Sequence, residues 1–492
     1  METWDVAVVG AGFGGLGAAV SLASRGARVV VFEALKYPGG CASTFLRGGH
    51  RFEAGATLFA GFGEGQLFSS WQRAFGWSLV FEPLDPIVHL RAPGLSLDVP
   101  RSRERWVDTL CALPGAPRER LVAFFVEQRA VADVLWELFD DPRLLPPFSA
   151  RELLSHLARS PRYLKLLRHV GRSLLSVVER HGLADFAPLR VFLDGVCQIT
   201  VQTPSATAEA PFALAAMDYF FRGTGHVHGG IGVLATALVE TVRTCGGAVR
   251  LADKVTSLRR SSEGWTVVSR RGELRARTVV ANLLPQTVAP LAGLSPDTLG
   301  DLSSRVEAGW GAVMLYLVVR RDAVESEAPC HFELVARPDA PFVEGNHVFA
   351  SVSGAGETDR SPEGHRTVTV STHVAMKKLL GLSEADRGSF VAAIQATMRE
   401  TVRSLAPRLH EGIVWSMTGS PRTFAKFTGR YEGYVGGVPR TVGLHHYASL
   451  FAGPVEEALY LVGDSVFPGQ STLAAAIGGV KVADRILAAA GR

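Results

Sequence analysis

The chain has 492 residues and a mass of 52.7 kDa, which at roughly 150 residues per domain leaves room for two or three structural units and excludes a small disulfide-held scaffold. Hydrophobic residues make up 47% and charged residues 20%, so the chain can bury a sizeable core and is not disordered. A net charge of +4 over this length is too small for a nucleic-acid-binding face, and no nucleic-acid partner is expected.

Five cysteines, Cys41, Cys111, Cys197, Cys245 and Cys330, form no C-x-x-C pair, a pattern that fits reduced thiols in a cytoplasmic protein. The N-terminus carries no basic segment with a small-residue cleavage site, and a strand pattern begins by Asp5, so no signal peptide is expected. No apolar run approaches the 18 or so residues of a spanning helix. Any membrane contact is therefore expected to be peripheral.

Asp5 to Val9 is a short β-branched run, followed by Gly10-Ala11-Gly12-Phe13-Gly14-Gly15 and an alanine-rich segment with helical spacing to Arg25. Gly26 ends that helix, Ala27 to Phe32 is a second β-branched run, and Glu33 stands 23 residues after Gly10. The whole reads as a βαβ unit. Gly10 permits the tight turn, Gly12 lets backbone approach a pyrophosphate, and Gly15 allows close packing of helix on sheet. The helix N-terminus then faces phosphate. Glu33 is placed to accept hydrogen bonds from ribose hydroxyls, and its charge argues against a 2′-phosphate. A second glycine pair, Gly39-Gly40, follows just beyond the acid, in PGGCASTF, and FEAGATLFAGF comes next. An NAD dehydrogenase has no need of either.

These residues resemble the FAD-dependent carotenoid desaturases and isomerases, a phytoene desaturase-like family within the wider amine-oxidase-like flavoproteins. PGGCASTF with FEAGATLFAGF resembles the branch holding carotenoid isomerase and the carotenoid 3,4-desaturases. The closing LYLVGDSVFPGQSTLAAAIGGVKVADRIL resembles the family's last flavin-binding segment, and His228-Gly229-Gly230-Ile231-Gly232 its return into the cofactor domain. The resemblance implies an α/β fold: a Rossmann-like FAD-binding domain from 1–75, 225–290 and 450–492, interleaved with an α+β substrate domain from 76–224 and 291–449. It implies FAD pyrophosphate at Gly10, Gly12, Gly14 and Gly15, with Phe13 alongside, and ribose at Glu33 beside Ala34. Further phosphate or flavin contacts fall at Gly39, Gly40 and Ser43, and the adenine meets the backbone of Val255. Gly463 and Asp464 receive the ribityl and pyrophosphate region, and Ser471, Thr472 and Leu473 open a helix toward the isoalloxazine pyrimidine edge. Two departures from the pattern stand out: Cys41 follows Gly40 where many relatives outside this branch carry Arg, and Glu53 stands where Asp is usual.

Between these anchors, Ala248 to Leu258, Gly264 to Ser269 and Thr278 to Asn282 read as short strands, with turns at 261–263 and 272–273. Ala312 to Val319, His347 to Ser353 and Thr367 to His373 read as a substrate-domain sheet, and Leu382 to Leu405 as a helix with Ser383 as its N-cap. From Arg151 to Gly182 seven bases face two acids, a net of +5 that exceeds the total of the whole chain. Leucine and valine interleave with those bases in an amphipathic pattern. This segment is expected either to lie on an anionic membrane and admit a lipid-dissolved substrate, or to pack on the core with a solvated basic face.

No second G-x-G-x-x-G follows a strand, so the flavin is expected to exchange electrons with substrate and with a diffusible acceptor, oxygen or a quinone. His226 with His228, and His445 with His446, lack a spaced third ligand, and no metal site is expected. No acid-base pair is assigned, and catalysis is expected to be centred on the flavin. The leading expectation is a carotenoid desaturase acting on a lipophilic polyene, cytoplasmic and peripherally membrane-associated. The alternatives are a cis-trans isomerase or polyene saturase using reduced FAD, an amine-oxidase-like enzyme on a soluble substrate, and a flavin-bound protein that presents carotenoid without catalysis.

Overall fold

The structure is a computed structural model that describes all residues except 1, 147, 149, 449–452 and 492. The first three residues of the 450–492 segment, and the side chain of Arg151, therefore lie outside the described residues.

The first βαβ unit forms where its local pattern places it. Strand β1 (Thr3–Val9) leads through Gly10, at φ 99°, into helix α1 (Phe13–Ala23), and strand β2 (Val29–Phe32) pairs parallel with β1. The Gly10 N–H donates to the Phe32 carbonyl oxygen at 2.8 Å, closing the two strand ends together. Seven strands make this sheet. Gly272–Ala281 runs parallel to β1 on one side and also pairs parallel with Leu459–Leu461. Ala248–Arg250 adds in parallel beyond β2. The antiparallel strands Val255–Ser261 and Gly264–Ser269 complete the other edge.

Two sequence readings shift here. The run 248–258 is two strands, because the chain turns at Ala252 (φ 54°) and ties back to the end of β2. The Ala252 N–H donates to the Leu35 carbonyl at 2.7 Å and the Asp253 N–H to the Glu33 carbonyl at 2.8 Å. The strand read from Thr278 begins at Gly272, since its first half finds an antiparallel partner that composition does not reveal.

The second sheet also has seven strands, built on the long pair Trp310–Arg320 and His365–Ala375. Its one parallel pairing joins Cys330–Val335 to Val88–Ala92. The helix read over 382–405 starts at Glu384, with the Ser383 hydroxyl oxygen accepting from the Asp386 N–H at 3.2 Å.

The helix Thr472–Ala489 lies against α1 at glycine-lined contacts. A Cβ on Gly17 would stand 2.4 Å from the Ala476 carbonyl oxygen, and one on Gly479 2.1 Å from that of Gly14. A helical layer covers the remaining side of the cavity described below. Its long helix Arg118–Asp140 buries Leu121, Phe124 and Trp136. The basic stretch 151–182 is two helices, Ala150–Leu167 and Leu174–Arg180, parted near Gly171 at φ 72°.

Candidate functional site

A cavity of about 1410 Å³ runs through the molecule, larger than the ~300–1,000 Å³ typical of a single small-ligand pocket. Of the residues picked out in the sequence, it is walled by Gly10, Gly12, Phe13, Gly14, Glu33, Ala34, Gly39, Gly40, Val255, Gly463, Asp464, Ser471, Thr472 and Leu473. Gly15 and Ser43 stand behind its wall. A Cβ on Gly15 would lie 2.2 Å from the Gly10 carbonyl oxygen, and the buried Ser43 hydroxyl donates to the Gly40 carbonyl oxygen at 2.8 Å. Both hold the shape of the glycine turns.

At one end, Glu33 closes β2. Its carboxylate accepts from the Ala11 N–H at 2.8 Å and the Leu35 N–H at 2.9 Å. Burial raises its pKa, and those two N–H bonds oppose the shift. Val255 and Asp253 stand next to it in the wall, brought there by the Ala252 turn. The first turn of α1 contains no acidic residue, and the Glu33 carboxylate engages the Ala11 N–H just ahead of the N-cap Gly12. A Cβ on Gly12 would meet Asn282 Nδ2 at 2.4 Å, so Asn282 packs against the phosphate-loop glycines, a neighbour the sequence did not single out.

Further along, Gly39 docks on the first loop, its N–H donating to the Ala11 carbonyl at 2.8 Å. The Asp464 carboxylate accepts from Arg430 Nη2 at 2.8 Å. Arg430 and Thr428 come from a segment with no sequence motif. Burial pushes the Cys41 thiol above its ordinary value, and Arg430 opposes that rise.

The N-cap Ser471, at φ 101°, accepts from the Ala474 N–H at 3.0 Å and opens the Thr472–Ala489 helix onto the cavity. Among the described residues, five buried oxygens of the wall have no hydrogen-bond partner: Thr472 Oγ1, Gln470 Oε1, Gln286 Oε1, Gln202 Oε1 and Asp253 Oδ2. Such atoms are costly to leave unsatisfied, and a bound polar group would engage them. With the glycine cradle, these oxygens fit a bound flavin dinucleotide.

Beyond Gln202 the wall turns apolar. Trp136, Phe139, Leu145, Phe212, Met314 and Phe349 line it. His373 lies in this wall, and burial lowers its pKa to about 3, so it is neutral at ordinary pH. The Ala150–Leu167 helix covers this chamber: His156, Tyr163 and Leu166 face the cavity. Leu153, Leu154, Leu157, Leu164 and Leu167 of the same helix are 50–68% exposed. Leu167 also belongs to the cavity wall, so the chamber reaches the surface beneath this helix. Among the described residues no helix is long and apolar enough to cross a membrane.

The third glycine turn is satisfied internally. The Gly229 N–H donates to Glu357 at 2.7 Å, the Ile231 N–H to Glu53 at 3.3 Å and the Gly232 N–H to the Thr44 hydroxyl at 2.8 Å. Glu53 also pairs with Arg360 at 2.8 Å, which accounts for the longer acid at that position. His226 bonds Glu357 at 3.0 Å and His228 bonds Glu82 at 2.9 Å, while His445 and His446 sit in a short helix. Among the described residues no group of three or more His, Cys, Asp or Glu is placed to hold a metal ion.

Residues 8–74 match the model of an NAD(P)-binding Rossmann-like domain. The chain is 27% identical over 509 residues to prolycopene isomerase 1 of an Oncidium hybrid cultivar, covering 99% of this chain and 84% of the relative. It is 28% identical over 295 residues to the neurosporene-forming phytoene desaturase of Cereibacter sphaeroides, covering 56% of this chain and 52% of that one. Wild-type putrescine oxidase bound to putrescine superposes with a TM-score of 0.62 at 17% identity, over 99% of both chains. The βαβ loop, the interleaved sheets and the full-length likeness agree, and the chain belongs, as a distant member on an amine-oxidase-like α/β fold, to the carotenoid isomerase and phytoene desaturase-like family of FAD oxidoreductases.

Proposed function

We propose that the chain binds FAD along this cavity and introduces double bonds into a carotenoid or related polyene, with oxygen or a quinone as the final electron acceptor. The observation that carries the reading is one continuous cavity that leads from Glu33 and the glycine loop to an apolar chamber. Segments 1–75, 225–290 and 450–492 would form the cofactor unit, and 76–224 with 291–449 the substrate unit.

Bound FAD would supply a hydride acceptor. Gly10, Gly12 and Gly14 let backbone approach its diphosphate with Phe13 alongside, and Glu33 receives ribose hydroxyls beside Ala34. Val255 flanks the adenine. Gly39 and Gly40 shape the wall near the phosphates, and Gly463 with Asp464 meets the ribityl chain. The helix end at Ser471, Thr472 and Leu473 has no acid in its first turn, so its partial positive charge stabilises negative charge on the nearby ring edge. The apolar walls hold an extended hydrocarbon and exclude water. In an allylic polyene conjugation spreads the developing positive charge, so no strong protein base is required.

The exposed leucines of Ala150–Leu167, bordered by Arg162, Lys165 and Arg168, fit the surface of an anionic bilayer, with the protein cytoplasmic and monotopic. Substrate would enter beneath the helix at Leu167.

A second reading, cis-trans isomerisation with reduced FAD, is favoured by the likeness to prolycopene isomerase over 99% of the chain. The deciding experiment adds the purified protein to anaerobic vesicles loaded with candidate carotenoids, following flavin absorbance and extracted pigment together. Bleaching with a longer-conjugated product supports desaturation. A changed cis-trans pattern that requires prior flavin reduction makes it an isomerase, and a shortened polyene makes it a saturase. Reduction by amines alone, or no turnover of a flavin-bound protein, overturns the polyene reading.

A further inference from the structure

The cavity is poor in fixed positive charge. Among the described residues of its wall the bases are Lys254, Arg430 and Arg440, against the acids Glu33, Asp253 and Asp464. Lys254 sits at the Val255 end. Arg440 is spent elsewhere: its Nη2 donates to the Pro468 carbonyl at 3.2 Å, and its guanidinium lies 5.5 Å from the Phe212 ring. The first turns of α1 and of Thr472–Ala489 contribute backbone N–H groups and no side-chain charge. A dinucleotide diphosphate brings two further negative charges, and flavin reduction adds another.

Arg430 is built to meet that demand. The helix Pro421–Thr428 stops at Gly429 in a left-handed conformation (φ 68°), which turns the chain back over the second glycine turn. Arg430 then places its guanidinium between two loops that are remote in sequence. Nε donates to the Tyr434 carbonyl oxygen and Nη2 to Asp464 Oδ2 at 2.8 Å. Beside it, Cys41 Sγ is 3.9 Å from the hydroxyl of Thr428, 387 residues downstream. Arg430, Cys41, Gly40, Gly463 and Asp464 share one stretch of wall, and the Arg430 side chain is only 17% exposed. Holding a cation there with a single carboxylate partner leaves the pair neutral before a cofactor arrives, so the guanidinium faces an incoming anion at low desolvation cost.

We propose that Arg430 is the cation that fixes the anionic part of the flavin dinucleotide, and that the short Cys41 side chain leaves the space this guanidinium occupies. The inference rests on the FAD reading above. The anion is either the diphosphate or the pyrimidine edge of the reduced ring, both of which a buried guanidinium recognises through charge-assisted hydrogen bonds.

The test compares wild type with Arg430→Met, Arg430→Lys and the exchange Cys41→Arg/Arg430→Met. Each is assayed for FAD and riboflavin dissociation constants, sulfite-adduct affinity of the bound flavin, and melting temperature without flavin. Loss of a charged hydrogen bond predicts FAD binding about ten- to a hundredfold weaker in Arg430→Met. Partial recovery is expected in Arg430→Lys and in the exchange variant. If FAD weakens while riboflavin does not, the diphosphate is the partner. If FAD is retained and sulfite affinity falls about tenfold or more, the partner is the pyrimidine edge. An Arg430→Met protein that melts lower yet binds FAD, riboflavin and sulfite as the wild type does would reduce Arg430 to a structural partner of Asp464 and overturn the proposal. Should Arg430→Met fail to fold, no recovery of FAD binding in Arg430→Lys or the exchange variant would overturn it equally. A wild-type chain that takes up no FAD removes the functional reading itself, an outcome separate from all of these.

Discussion

Helix α1 and the Ala150–Leu167 helix border the same cavity and treat their apolar side chains in opposite ways. All 11 residues of α1 are buried, and its small side chains let it lie against both the sheet and the C-terminal helix. In Ala150–Leu167 none of the described side chains is fully buried, and five leucines point outward at 50–68% exposure. Each leucine so displayed forgoes roughly half or more of the about 1.5–3 kcal/mol that full burial would supply. The comparison separates two uses of hydrophobicity. Small residues on α1 permit close approach of neighbouring backbone, whereas the large ones on the Ala150–Leu167 helix are left at the surface, the feature behind the proposed membrane contact.

The largest effect should come from spoiling the close approach. Gly479→Val places a side chain where even a Cβ stands 2.1 Å from the Gly14 carbonyl oxygen. Overpacking of this kind costs about 1–3 kcal/mol or more. The expected result is a melting temperature lowered by several degrees with loss of flavin retention, and a variant that melts like the wild type would show that this contact does not set the loop. On the Ala150–Leu167 helix, Leu154→Asn/Leu157→Asn/Leu164→Asn should leave stability within about 0.5 kcal/mol per site. Sedimentation with anionic vesicles should fall at least tenfold, and undiminished sedimentation would break the contrast.

Acid should act on buried histidines of the second sheet and of the segment that follows the Ala150–Leu167 helix. Burial lowers His331 and His373 to about 3. In that segment, burial likewise lowers His169 to about 4, against the opposing charge of Glu127 and with help from Arg168. These folded values lie below the ordinary 6.5, so the native state binds fewer protons than the unfolded chain. Stability is full above pH 6.5 and declines as pH falls toward 4, by up to about 1.4 kcal/mol per pH unit for each histidine. Below pH 4.5 the Glu357 carboxylate adds to the loss. Burial would raise it, but His226, Arg360 and the Gly229 N–H outweigh that and hold it at about 2. Urea titrations at pH 7, 5.5 and 4.5 would read this slope, and a flat profile would contradict it. The smallest effect belongs to Arg162, 62% exposed and 2.9 Å from Glu137. Arg162→Ala should cost below about 1 kcal/mol in stability and weaken anionic-vesicle binding by about 1 kcal/mol.

How much was legible follows from how far each feature reaches along the chain. The βαβ unit and the Ser383 cap depend on residues within a turn or two, and they lie where spacing and turn chemistry put them, while the helix opening at Ser471 lies where the family resemblance placed it. The end of the 248–250 strand was not legible, because it is imposed by backbone hydrogen bonds to Glu33 and Leu35. The acid in FEAGAT could be noticed but not explained, since its partners Arg360 and the Ile231 N–H come from distant loops.

By itself, then, the sequence determined a dinucleotide loop with its acid and an amphipathic basic stretch, since each is encoded in local spacing, and the order of the anchoring segments came from family resemblance. Tertiary structure decided the rest. It satisfied the third glycine turn with carboxylates, broke the basic stretch at Gly171 and turned its leucines outward. It also brought Arg430 to Cys41 and Asp464. These outcomes depend on which buried donors, acceptors and charges find partners across the fold, and chain folding alone sets those distances.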